Sequence, residues 1–172
     1  GFVGDTIAMS GDGFLNPDNP HYNAARDGVS CTACHQIENT PELGTSDGFS
    51  GEFTILENFG TDRKTYGPYT APKTQPMINN VQFTPVHSAH MNDSKLCASC
   101  HNLDTPVIDA QGNLSNATFP EQAVYTEWEF SDFNATKSCQ DCHMPKTNGS
   151  VVISTQGGNL QPRTPFYQHK FL

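Results

Sequence analysis

All six cysteines of this chain fall in three copies of Cys-X-X-Cys-His, at Cys31-Thr-Ala-Cys34-His35, Cys97-Ala-Ser-Cys100-His101 and Cys139-Gln-Asp-Cys142-His143. Two thiols at this spacing can add to the two vinyl groups on one edge of a haem, and the next residue can then turn its imidazole under the iron. The motifs therefore predict three covalently held c-type haems. Cys31, Cys34, Cys97, Cys100, Cys139 and Cys142 are the attachment points, and His35, His101 and His143 the proximal iron ligands. Other uses of these cysteines explain less. Two cysteines three apart are poor disulfide partners for each other, and a disulfide framework gives no reason for a histidine after every pair. A thioredoxin-like motif would occur once, near a βαβ pattern. Structural zinc takes Cys-X-X-Cys units in twos, and three units do not close.

The sixth position of each iron needs a second residue or stays open. Four histidines lie outside the motifs, His21, His87, His90 and His169, with four methionines, Met9, Met77, Met91 and Met144. The methionines are weaker candidates: Met144 follows a motif histidine directly and cannot easily reach the far face of its own haem, and the others suit packing. His21 precedes Cys31 by ten positions and His87 precedes Cys97 by ten, whereas Glu129 holds that place before Cys139. This local pattern favours His21 as a distal ligand. His87 and His90 are three apart, so a helix would put them on nearly the same face, competing for one role.

The elements that must hold these residues read as haem-binding helices separated by long irregular connections. The expected fold is mainly α with much irregular loop and few short strands, built around its haems as one trihaem domain over residues 1–172. Residues 1–20, glycine-rich and with Pro17 and Pro20, read as an extended arm. A short helix at Tyr-Asn-Ala-Ala-Arg breaks at Asp27-Gly28. Residues 51–59 alternate enough for a strand, and the Arg63-Lys-Thr-Tyr-Gly-Pro-Tyr69 run that follows reads as loop. Thr84-Pro85, a cap and a first-turn proline, predicts a helix running through the second motif to about Asn102. Val107 to Leu114 reads as a hairpin around Gly112. A second helix is expected from Pro120, with Val124, Tyr125 and Trp128 on one face and Trp128 packed on a haem edge. Residues 151–155 read as a short strand.

Composition explains how such a chain can fold. Only 35% of its 172 residues are hydrophobic, and it carries 14 glycines and 12 prolines, a loop-rich and core-poor mixture. Three apolar macrocycles would supply the missing core, and their thioether links would restrict the unfolded chain much as disulfides do. The net charge of −9, to which haem propionates would add, speaks against a nucleic-acid partner. No apolar run approaches transmembrane length. Because c-type haem is attached outside the bacterial cytoplasm, the chain reads as a periplasmic or extracellular protein whose signal peptide has been removed.

The stretches Asp27 to Ile37, His90 to Leu103, Glu121 to Trp128 and Ser138-Cys-Gln-Asp-Cys-His-Met-Pro145 together resemble a widespread group of bacterial multihaem c-type cytochromes. That group is loosely related to multihaem reductases and hydroxylamine oxidoreductase-like cytochromes. The resemblance covers roughly residues 20–172. It implies closely packed bis-histidine haems, with His90 and His169 as distal ligands beside His21, and His87 as the alternative to His90. It does not imply which haem each distal histidine serves. Members of the group often continue beyond a pattern like His169-Lys-Phe171, which would make this chain a fragment or processed piece of something longer.

The function this implies is electron transfer through three six-coordinate haems, with no catalytic residues, exchanging electrons with redox partner proteins or other haem domains, as a monomer or an oligomer. The rival is the haem-bearing part of a reductase or oxidoreductase acting on small nitrogen or sulfur oxyanions. That would need an open iron with acid–base and cationic groups nearby, and the chain has distal histidines enough to close three irons and nine basic residues. A haem-bearing segment of an extracellular filament is a third reading, distinguished by haems exposed at both ends.

Overall fold

The computed structural model describes residues 16–26, 28–152 and 161–171. Most of the expected N-terminal arm and residues 153–155 of the expected late strand lie outside these, as does Met9. The described residues form six short helices and two small two-stranded sheets. The expectation of a mainly α fold is therefore corrected to a small α/β domain.

The helices are α1 (Tyr22–Arg26), α2 (Cys31–Gln36), α3 (Gln75–Val81), α4 (Lys95–His101), α5 (Val124–Glu129) and α6 (Cys139–His143). None exceeds seven residues. Helices this short do not hold themselves in water, so tertiary contacts must fix them.

The strands appear where helix or loop had been expected, and proline is the reason in two places. Thr84-Pro85 lies not in a first helical turn but in β2 (Phe83–His87), which pairs in parallel with β1 (Arg63–Gly67). The crossover between them contains α3, as a parallel pair requires. Residues 51–59 hold no paired strand; the strand falls instead on the run read as loop, because Arg63 to Gly67 finds a partner in Phe83 to His87. Arg63 secures the crossover, its guanidinium 4.2 Å over the Phe83 ring and donating to the Val81 carbonyl at 2.9 Å. Pro120 does not start a helix either. It lies in β4 (Leu114–Ala123), antiparallel to β3 (Asn102–Ile108), opposite Asp104 where the register slips. A bulge is where a sheet tolerates a residue with no N–H. The expected hairpin around Gly112 is present. Gly112 has a φ of 85°, and the Asp109 carboxylate accepts from the Gln111 and Asn113 amides at 2.9 and 2.8 Å.

The protein-only core is small. Among the described residues its apolar members are Ile37, Leu43, Tyr66, Met91, Ala98 and Tyr125, with His90, Ser94, Ser99, Asn102 and Gln140 buried among them. Large apolar side chains remain on the surface, including Val29 beside the first motif, Phe59, Phe130 and Phe133. No helix among the described residues is long and apolar enough to cross a membrane.

Candidate haem-binding sites

Each motif forms its own short helix, α2, the second half of α4, and α6. On a helix, positions i, i+3 and i+4 share a face, so both thiols and the imidazole of one motif lie together. A serine precedes the first and third motifs directly. Ser138 closes a capping box with Asp141, accepting from the Asp141 amide while the Asp141 carboxylate accepts from the Ser138 N–H at 3.0 Å. These contacts, then the nearby Lys146 and Lys137, hold the Asp141 carboxyl below its ordinary range.

The three motifs converge. Ser94, buried just ahead of α4, accepts from the Cys139 backbone N–H at 3.0 Å. The Gln140 amide donates to the Asp93 carbonyl at 2.9 Å and, less closely, to that of Met91. The Cys97 and Cys139 thiols share a hydrogen bond, which pushes Cys97 up and holds Cys139 down. From the other side, burial and then the nearby Cys100 and Cys31 thiols push the Cys34 thiol up. The motifs are also tied through their flanks: Cys139 and Gln140 of the third meet Ser94 and Asp93 just ahead of the second, and His90, seven positions before the second, meets Ile37 just after the first. No disulfide joins any of the six cysteines. Among the described residues no three His, Cys, Asp or Glu side chains are grouped to hold a bare metal ion.

The best-defined of the three motif histidines is His35. Its half-buried imidazole donates from Nδ1 to the Tyr66 carbonyl at 2.6 Å, which fixes the tautomer and leaves the Nε2 lone pair for a metal. His101 and His143 are exposed at the ends of α4 and α6.

The four further histidines lie in four different settings. His21 is exposed immediately before α1, its backbone N–H donating to Asn19 Oδ1 at 2.8 Å. His87 is exposed at the end of β2, in register with Gly67. His90, in a 3-10 turn at Ala89–Asn92, is buried. Its Nε2 donates to the Ile37 carbonyl at 2.9 Å, so in the neutral ring Nδ1 accepts from Ser88 Oγ at 2.6 Å. Burial lowers its pKa, in keeping with that neutral form. His169 stands opposite His35, with ring centroids 6.1 Å apart and planes inclined at 36°. His87 and His90 therefore do not share a helix face: they lie in a strand and a turn, one at the surface and one in the core.

Trp128, expected against a haem edge, packs on the Tyr125 ring at 5.4 Å and donates from its indole to the Lys137 carbonyl at 2.8 Å.

Tyr66 was not singled out from sequence, yet it joins three parts of this region. Its carbonyl holds His35, its hydroxyl donates to Glu38 at 2.6 Å, and its ring meets His90 edge-on at 5.3 Å. Nothing local could have marked it, because its main contribution is a backbone carbonyl delivered by strand pairing. Ser88 and Ser94 had a weak signal in hydroxyls close ahead of a histidine and a motif.

No protein-family model matches the sequence, and no curated protein or solved structure matches it significantly.

Proposed function

We propose that the protein is an electron carrier holding three covalent c-type haems, of the multihaem cytochrome kind its motifs resemble. The observation that carries this reading is that the flanks of the three motif helices are tied together, the third to the second through Ser94 and Cys139 and the second to the first through His90 and Ile37, which would bring three haems into one region. Haem, when bound, supplies reversible one-electron chemistry at its iron.

The protein's own residues have three tasks in this reading. The six cysteines hold the groups, the Ser138–Asp141 capping box fixes the start of the third attachment helix, and the Ser94–Cys139 contact fixes that helix against the second. His35, His101 and His143 serve as proximal ligands, with the His35 tautomer set by Tyr66. Distal ligands come from His21, His90 and His169, with His87 the alternative to His90. Ligation through His90 Nε2 would exchange the Ile37 carbonyl for iron, whereas His87 is exposed and three residues away. Exposed apolar residues such as Val29, Phe130 and Phe133 supply surface against which apolar macrocycles would complete the small core. The setting in this reading is periplasmic or extracellular, and the partners are redox proteins or other haem domains.

Intact mass and low-temperature electron paramagnetic resonance during a redox titration test the proposal. Three haem additions and only low-spin ferric signals are expected. Fewer additions would defeat the trihaem reading, and a full-occupancy high-spin signal would favour an enzyme with an open iron.

A further inference from the structure

The facing imidazoles of His35 and His169 are 134 positions apart in the chain, and their spacing is informative. Two imidazoles trans on one metal, each bonded at the usual distance of about 2 Å through a nitrogen just over 1 Å from its ring centre, have centroids roughly 6 Å apart. The observed separation is 6.1 Å.

The His35 ring is also oriented from behind, since its Nδ1 donates to the Tyr66 carbonyl. A histidine whose one N–H is tied to a backbone carbonyl offers its other nitrogen as a lone pair, the usual arrangement behind a metal-bound imidazole.

The segment carrying His169 is pinned from two directions. On one side Gln168 N–H donates to the Pro145 carbonyl at 3.0 Å, Thr147 N–H donates to the Phe166 carbonyl at 2.8 Å, and Lys146 bridges to Tyr167, all immediately after the third motif. On the other, Tyr69 Oη donates to the Pro165 carbonyl at 3.0 Å, and Arg163 lies over the Tyr69 ring while donating to the Ala71 carbonyl. Tyr69 follows directly on β1, whose Tyr66 holds His35. The segment thus spans from the third motif to the first.

We infer that His169 is the second axial ligand of the haem attached at Cys31 and Cys34, trans to His35, so that one iron ties residues 161–171 to the first motif. The inference rests on the trihaem reading above and adds the pairing, which spacing in the sequence does not contain.

The direct test is nuclear magnetic resonance of the fully reduced, diamagnetic holoprotein. The expected result is strongly ring-current-shifted His169 imidazole protons with Overhauser contacts to the meso protons of the haem whose thioethers are Cys31 and Cys34. Contacts to either other haem would overturn the pairing, and unshifted His169 resonances would overturn ligation. Mass analysis of the proteolytic peptide containing Cys31 and Cys34 separates these outcomes from failure of the underlying reading, since a peptide without haem refutes haem attachment itself. A variant adds a second readout: reduced His169→Ala should bind carbon monoxide at one haem in three, and added imidazole should restore the low-spin spectrum. Binding at none would overturn the assignment.

Discussion

His90 and His169 both reach the first motif, and the protein engages them in opposite ways. His90 is buried with each ring nitrogen on a protein partner, Ile37 on one side and Ser88 on the other. His169 belongs to an exposed segment and faces a second imidazole. A buried polar ring must be satisfied by the protein or it destabilises the fold. In the reading proposed above, iron would replace a protein contact at His90 and complete the site at His169.

The largest effect should come from removing that completing group. Cys31→Ala with Cys34→Ala should yield a protein lighter by one haem, with residues 161–171 newly sensitive to protease while the contacts of His90 persist. Equal protection in the variant would mean that hydrogen bonds alone hold the segment.

Next in size is His90→Ala, which strands the Ile37 carbonyl and the Ser88 hydroxyl and leaves a cavity. A loss of about 3 kcal/mol in chemical denaturation is expected. The same change at the exposed His87 should shift stability by less than about 0.5 kcal/mol. Carbon monoxide binding by the two reduced variants then decides ligation separately from stability, because the variant that opens an iron has lost its distal ligand. If both open one, each is a ligand and His21 is the spare.

The smallest effect concerns the residue between the two regions. Tyr66→Phe removes the hydrogen bond to Glu38 and should cost about 1–2 kcal/mol. The His35 contact is to a backbone carbonyl, so the haem spectra should not change. Burial first, and then Glu38, push the Tyr66 phenol well above its ordinary value. A pKa raised by folding stabilises below the unfolded value and is lost above it. The native protein should therefore lose stability more steeply than Tyr66→Phe as the pH rises beyond about 10. Identical alkaline profiles would show that the phenol does not contribute.

Much of the local structure could be read directly. The motif helices, α1 and the turn at Gly112 all follow from residues within a few positions of one another. The strands could not, because Thr84-Pro85 and Pro120 carry a signal that a helix start and a strand share. Only the partners, Thr65 opposite Pro85 and the bulge opposite Pro120, decide between them. The same ambiguity affected the histidines. Their number and type marked candidates, but whether a given imidazole meets a carbonyl, solvent or another imidazole depends on residues more than fifty positions away, as with His90 and Ile37 or His169 and His35.

By itself the sequence determined how many Cys-X-X-Cys-His motifs there are and which thiols and imidazoles compose them, since such a motif is a matter of spacing along a single helical turn. Only the tertiary structure decided that Ser94, ahead of the second motif, meets Cys139 of the third, that His90 sits in the core with protein partners, and that His169 lies beside His35. Those relations are made by strand pairing and crossing segments, and no local spacing encodes them.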